Sequence, residues 1–183
     1  MKLNGVIDMG CDIHSFVAVL GDDDTLTPSS TIVNISDKSY IIQPFDGRCY
    51  LFFGWLTNGI VRSRGLAYYN YPFNGKCLNK INISSSDNIN EYDKGLIKEY
   101  INGDQSYKYH TFGYIRYADL LKQKKIFKKV IKLILNKKEQ NVALDEAEIV
   151  LAYIKSAIIR TQIAVNTKEI DQNNIYILFC FDS

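Results

Sequence analysis

An acid and an imidazole lie two residues apart near the start of the chain, at Asp12 and His14. The residues on either side are mostly β-branched or aromatic, and this composition predicts a strand. Because successive side chains of a strand point to opposite faces, Asp12 and His14 would share one face. An acid–imidazole pair can transfer a proton, hold a phosphate group or bind a metal ion. We therefore take this pair as the starting point of a candidate site.

Four other polar residues are candidates for the same site. His110 lies in an aromatic, strand-like segment, Arg48 and Arg64 each adjoin a glycine, and Asp182 ends an apolar segment at the far end of the chain. If the first and last strands are neighbours in a sheet, Asp182 lies close to the N-terminal acid–imidazole pair. The sequence thus predicts a polar cluster assembled from both ends of the chain.

This cluster has the composition of a phosphate or nucleotide pocket. Arginines bind phosphate through forked N–H donors, and a histidine held by a carboxylate can supply or remove a proton. Three residues are expected to carry the proton chemistry, namely His14, Asp12 and His110. Three are expected to bind the ligand, namely Arg48, Arg64 and Asp182.

A second interpretation makes the same cluster a site for one divalent ion. Its ligands would be the two acids and the two histidines, namely Asp12, His14, His110 and Asp182. Oxygen and imidazole ligands suit manganese, iron or zinc. The sequence has no H-E-x-x-H motif or other diagnostic ligand spacing, so we assign no metal and leave the cofactor unknown. A third interpretation is purely structural, with these side chains capping turns or pairing with one another.

Length and composition predict one globular domain that covers residues 1–183. Hydrophobic residues make up 46% of the chain and charged residues 23%, as in ordinary soluble domains. No apolar run approaches the roughly 18 residues needed to cross a membrane, and the first residues do not resemble a signal peptide. We therefore expect a cytoplasmic protein with no membrane partner.

Positive charge is concentrated between residues 116 and 138, where nine basic residues face one acid, Asp119. Apolar residues recur through this segment at helical spacing, and so do those of the next segment up to Val165. Few aromatic residues are interleaved with the lysines, so an exposed helix face is favoured over a nucleic-acid surface.

The expected fold class is α+β, with a mainly antiparallel sheet that holds both chain ends in its core. A helical hairpin over residues 117–165 would pack against this sheet. Residues 31–35 are predicted as the second arm of a hairpin with the first strand. The segment 46–56 fits either a helix capped by Asp46 or a strand, and residues 62–95 are expected to be irregular.

Several segments together resemble an uncharacterised bacteriophage protein family. That family opens with the hexapeptide found here at residues 9–14 and closes on Phe-x-Phe-Asp, as at residues 179–182. Residues 47–50 and 109–121 are similar to its interior segments, and so are residues 64–66. At the next position the family has a proline, whereas this chain has Ala67. The resemblance implies a phage origin and supplies no activity or fold.

The sequence therefore leaves functions of two classes open. The first is a phage-encoded accessory protein with a phosphate or nucleotide pocket, for which phosphoester hydrolysis is the expected reaction. The second is a non-enzymatic protein that binds a host or viral protein through aromatic surfaces, or a minor virion component. Whether the chain is an enzyme stays undecided at this stage.

Overall fold

The computed structural model describes residues 12–29, 32–35, 38–57, 80–81, 91–102, 109–136 and 142–182. These residues form seven strands and four helices. The strands are β1 (Ile13–Leu20), β2 (Thr25–Pro28), β3 (Ile32–Ile35), β4 (Lys38–Ile41), β5 (Lys80–Ile81), β6 (Tyr109–Arg116) and β7 (Ile175–Asp182). The helices are α1 (Tyr50–Leu56), α2 (Glu91–Asn102), α3 (Tyr117–Asn136) and α4 (Val142–Ala164).

The main sheet has five strands in the order β5-β2-β1-β7-β6. All neighbours are antiparallel except β2 and β5. The first and last long strands are central neighbours, and their register places His14 opposite Cys180 and Ile13 opposite Phe181. The predicted α+β class, with both ends of the described chain in the sheet, is confirmed.

Helices cover both faces of this sheet. The side chains of its strands point alternately to the two faces, and each face carries an apolar cluster that packs against helices. Ile13, Phe179 and Phe181 face a core that α1, α3 and α4 complete. Phe16 and Leu178 point the other way, into a smaller core that includes side chains of α2. The larger core holds the expected helical hairpin, and the second helix layer is an addition that the sequence analysis did not predict.

Two local predictions are corrected by the strand pairing and the helix start. The partner of β1 in a hairpin is β2, whereas β3 pairs with β4 in a separate two-stranded sheet. The turn at residues 21–24 reverses the chain directly into β2, so β2 and not residues 31–35 forms the second arm of the hairpin with β1. The apolar segment after residue 49 is a helix, but its N-cap is Cys49 with no side-chain cap, and Asp46 instead pairs with Arg160.

The predicted helical hairpin corresponds to α3 and α4. Among the apolar residues that recur at helical spacing in this segment, Leu120 and Phe127 are buried, whereas Leu135, in the last turn of α3, is 54% exposed. Of residues 62–95, the structure describes only β5 and the start of α2, so the irregular stretch lies largely outside the described residues. None of the described helices combines the length and apolar character needed to cross a membrane.

Candidate functional site

The centre of the site is a hydrogen bond between the His14 ring in β1 and the Asp182 carboxylate at the end of β7. The imidazole Nε2 lies 3.0 Å from the carboxylate Oδ2. The other oxygen of the same carboxylate, Oδ1, accepts a 2.6 Å hydrogen bond from the backbone N–H of Asp12. The carboxylate therefore links the ends of the two strands and holds the imidazole by one of its nitrogens.

The sheet register explains why these groups meet. His14 lies opposite Cys180, so the alternation of side chains puts Asp182 on the same face, one step further along β7. The ring of Tyr109, paired with Asp182 on β6, meets the His14 ring edge-to-face at 5.2 Å. Together, these neighbours leave the His14 side chain only 14% exposed.

Arg48 forms the second half of the site through its contact with Asp12. Its Nε donates to Oδ1 at 2.9 Å and its Nη2 to Oδ2 at 3.3 Å, which is a forked arrangement. The Arg48 side chain is 51% exposed, and these bonds use two of the five guanidinium N–H donors. A cation with donors beyond its own ion pair thus lies at the solvent-facing edge of the site.

Charge couples the two halves. Burial raises the pKa of Asp182, but the N–H of Asp12, the His14 ring and the positive charge of Arg48 outweigh this effect and hold that pKa below its usual range. The hydrogen bond to Asp12 and the Asp12 charge raise the pKa of Arg48. Asp182 is therefore ionised at neutral pH, and its negative charge interacts with both the His14 imidazole and the nearby Arg48 guanidinium.

A loop carries Arg48 to this position by running along the edge of β1. The N–H of Ile13 donates to the carbonyl of Gly47 at 3.3 Å, where β2 no longer covers the strand. Ser15 fixes the loop further along, since its hydroxyl donates to the carbonyl of Phe45 and accepts from the N–H of Phe45, both at 2.8 Å. The loop thus takes the place of a neighbouring strand beside the first half of β1.

Ser15 is a positioning residue that the sequence analysis missed. It is fully buried and lies on the face of β1 that points into the larger core, between Ile13 and Val17. A hydroxyl at such a position needs a hydrogen-bond partner. The sequence feature that pointed to Ser15 is a polar residue among the apolar residues on the buried face of a strand. The sequence did not show which loop supplies its hydrogen-bond partner.

Replacing Ser15 with alanine is expected to lower the free energy of unfolding by about 2 kcal/mol, because both backbone groups of Phe45 lose their partner in a buried place. Urea denaturation of the purified protein measures this loss. The same change at Ser156, an exposed serine of α4, serves as the control and should alter stability by less than ~0.5 kcal/mol. Equal effects at the two serines would contradict the positioning role.

His110 does not join this cluster, and its predicted place in the pocket is corrected. It pairs with Phe181 and stacks on that ring at 6.1 Å, so it lies on the sheet face opposite His14. Its Nε2 donates to the backbone carbonyl of Asp182 at 3.2 Å, and its Nδ1 lies 2.9 Å from the Thr111 hydroxyl. The physical reason is that successive side chains of a strand point to opposite faces. Tyr109 lies on the same face as His14, so His110 lies on the other face.

The other predicted ligand groups divide as follows. Asp12, His14, Arg48 and Asp182 come together, whereas Arg64 lies outside the described residues. In the described part of the chain, no three side chains among His, Cys, Asp and Glu are grouped so that they could hold a metal ion. The divalent-ion interpretation needed His110 beside His14, and the sheet keeps these two rings on opposite faces.

Comparison with protein-family models, with curated proteins and with solved structures finds no match to this chain.

Proposed function

We propose that the chain binds a phosphate-bearing ligand, such as a nucleotide, at the cluster of Asp12, His14, Arg48 and Asp182. The observation that carries this proposal is the pairing of a carboxylate-held imidazole with a half-exposed guanidinium. His14 lies 3.0 Å from Asp182, and Arg48 lies 2.9 Å from Asp12. These are the two kinds of group that phosphate recognition and proton transfer require.

Arg48 supplies the anion-binding part of this proposal. Its forked donors match the geometry of phosphate oxygens, and its position at the solvent-facing edge lets a ligand approach without opening the core. Asp12 holds the guanidinium in place before the ligand arrives, so little side-chain entropy is lost on binding. A bound phosphate would share Arg48 with Asp12 or displace that carboxylate from one of the donors.

His14 supplies the acid–base part. The ionised Asp182 only accepts hydrogen bonds, so the His14 ring donates to it from Nε2. An imidazole held by a carboxylate in this way is a base for an attacking water when it is neutral and an acid for a leaving oxygen when it is protonated. Phosphoester hydrolysis is the reaction that this arrangement would support.

The biological setting belongs to the same proposal. The resemblance of residues 9–14 and 179–182 to a phage family supports a phage-encoded accessory protein that acts in the cytoplasm of the host. Two of the four clustered residues, Asp12 and His14, come from the first of these segments and Asp182 comes from the second. The parts of the sequence that carry the resemblance are thus the parts that build the candidate site.

Binding of a host or viral protein, or a role as a minor virion component, is the alternative. It was expected to use aromatic surfaces, but the large hydrophobic side chains that are exposed in the described part of the chain are all aliphatic. The aromatic residues there contribute mainly to the two cores. The polar cluster therefore supports the phosphate proposal better than the exposed surface supports the alternative.

Thermal denaturation with added ligand tests the proposal. Inorganic phosphate or a nucleoside triphosphate at about ten times its Kd should stabilise the protein by ~1.4 kcal/mol and raise Tm by roughly 4 °C. Arg48→Lys keeps the charge but loses the fork, so we expect about tenfold weaker binding. Arg116→Lys alters a similar surface ion pair, with Asp119 at 2.9 Å, and should leave binding unchanged.

Two results would overturn this proposal. One is the absence of any ligand-dependent shift in the unmodified chain with phosphate and nucleotides alike. The other is an equal loss of the shift in the Arg48 and Arg116 variants, since that would indicate general charge screening. Release of phosphate from a chromogenic phosphoester, measured for the unmodified chain and for His14→Gln, then decides whether binding leads to hydrolysis.

A further inference from the structure

The outer face of α3 combines exposed lysines with exposed aliphatic residues. The inner face of this helix contributes Leu120 and Phe127 to the larger core. On the outer face, Ile126 is 45% exposed and Leu133 is 61% exposed. Four exposed lysines share this outer face with them, namely Lys122, Lys125, Lys129 and Lys132. We call these four lysines and two aliphatic residues the lysine face.

The helical spacing brings both kinds of side chain into one surface. A single row along the helix follows steps of four, three and four residues and consists of Lys122, Ile126, Lys129 and Leu133. The other two lysines, Lys125 and Lys132, lie directly beside this row. Lysines and aliphatic side chains therefore alternate along about 16 Å of the helix surface.

The positive charge of the lysine face is largely uncompensated within the described part of the chain. The one acid of α3 is Asp119, which pairs with Arg116 at 2.9 Å and with Lys122 at 3.0 Å. Among the described residues, no ion pair holds the other three lysines of the face. Neighbouring cations in solvent produce a positive potential, and this potential attracts a partner with negative charge.

The composition of the lysine face favours a lipid surface over other anionic partners. Surfaces that bind single-stranded nucleic acid combine basic residues with aromatic rings that stack on bases, whereas the large hydrophobic side chains exposed in the described part of the chain are all aliphatic. On a duplex, Ile126 and Leu133 would face phosphate groups and gain no contact. Lysine is depleted in protein–protein interfaces, whose centres favour aromatic residues, methionine and arginine. Lysines together with projecting aliphatic side chains on a helix are typical of proteins that bind anionic membranes.

We propose that α3 lies along the surface of a membrane of anionic phospholipids and contacts it through the lysine face. The ammonium groups bind the headgroup phosphates, and Ile126 and Leu133 enter the lipid between the headgroups. The expectation of no membrane partner was based on the lack of a spanning run, and a helix that lies on a surface needs none. His14 and Asp182 point to the sheet face opposite α3, so this proposal and the phosphate proposal can fail independently.

Sedimentation of the full chain with lipid vesicles tests the membrane contact. Vesicles of phosphatidylcholine with about one third phosphatidylglycerol should bind the protein at low salt, and vesicles of phosphatidylcholine alone should not. The variant K125Q/K129Q removes two charges from the lysine face and should weaken binding about 30-fold. The matched control is K98Q/K155Q, because Lys98 of α2 and Lys155 of α4 are also exposed, and it should weaken binding less than about threefold. A lack of binding to the anionic vesicles, or equal losses in the two double variants, would overturn the proposal.

A variant that keeps every lysine tests the aliphatic part of the contact. I126Q/L133Q should weaken binding to the anionic vesicles about tenfold, because two apolar side chains no longer enter the lipid. Both side chains are exposed in the folded chain, so circular dichroism should show unchanged folding. Binding by I126Q/L133Q at the unmodified level would contradict the lipid contact. Tighter binding of duplex DNA or polyglutamate than of the vesicles would assign the lysine face to a nucleic acid or an acidic protein instead.

The same measurement with Arg48→Lys separates the lysine face from the candidate phosphate site. This variant should bind the anionic vesicles as the unmodified protein does, because the headgroup phosphates are held by the lysines of α3. A loss in Arg48→Lys as large as that in K125Q/K129Q would assign the lipid phosphates to the candidate phosphate site and overturn the role of α3.

Discussion

Replacing Phe181 with alanine will lower the free energy of unfolding by about 4 kcal/mol, the largest loss expected for any change considered for this chain. The ring is fully buried in the larger core. It meets Phe53 of α1 edge-to-face at 4.9 Å and Phe179 at 6.0 Å, and the His110 ring stacks on it at 6.1 Å. Its removal therefore leaves a cavity at the contact between the sheet and α1.

Urea denaturation at neutral pH measures this loss. Phe181→Leu fills most of the space and should cost less than about 1.5 kcal/mol, so the difference between the two variants reports the cavity. If both variants lose the same amount, the ring contacts are not the source of the stability. A loss below ~1 kcal/mol in Phe181→Ala would contradict the burial of this side chain.

Replacing Asp182 with alanine is expected to cost about 3 kcal/mol at pH 7. The carboxylate makes two charge-assisted hydrogen bonds, to the N–H of Asp12 and to the His14 ring, and each is worth roughly 1.5–3 kcal/mol. As a control, Asp46→Ala removes a carboxylate that is 61% exposed in its pair with Arg160, and we expect a loss under ~1 kcal/mol. Urea denaturation of both variants compares them directly.

The loss at Asp182 should depend on pH in a fixed direction. Burial raises the pKa of Asp182 and its partners lower it by more, so the folded pKa lies below the unfolded value of about 3.9. The stabilisation is fully present above that unfolded value and disappears as the pH falls through the folded pKa. The difference in unfolding free energy between the unmodified protein and the variant should therefore shrink as the pH falls below about 3.9. A constant difference at every pH would contradict the charged hydrogen bonds.

Local patterns in the sequence predict the strands and long helices well. The β-branched and aromatic segments at both ends of the chain are strands, and the predicted hairpin from residue 117 is α3 and α4. The polar helix α2 was not predicted, because its apolar residues Leu96, Ile97 and Tyr100 lie in a segment rich in charged and polar residues. β3 pairs with β4, the next strand along the chain, and this hairpin was missed because residues 38–41 were not predicted as a strand.

The candidate site was predictable where strand alternation fixes the faces, and not elsewhere. The alternation of side chains places Asp12 and His14 on one face, and Asp182 joins them because β7 lies next to β1. The alternation also excludes His110 from this face, but only once the pairing of His110 with Phe181 is known. The position of Arg48 depends on the Ser15–Phe45 hydrogen bonds, which join an edge of β1 to a loop without a periodic pattern. The positions of His110 and Arg48 are therefore determined by tertiary contacts and not by local propensity.

The most direct test of phosphate binding follows the histidine rings by NMR while inorganic phosphate is added to the full-length protein at constant ionic strength. The chain contains two histidines, and the structure puts His14 beside the ion pairs and His110 on the opposite face. The proposed site predicts saturable shifts of the His14 ring signals, much smaller shifts of the His110 signals and a weaker response in Arg48→Lys. Unchanged His14 signals, or equal shifts of both rings, would contradict it.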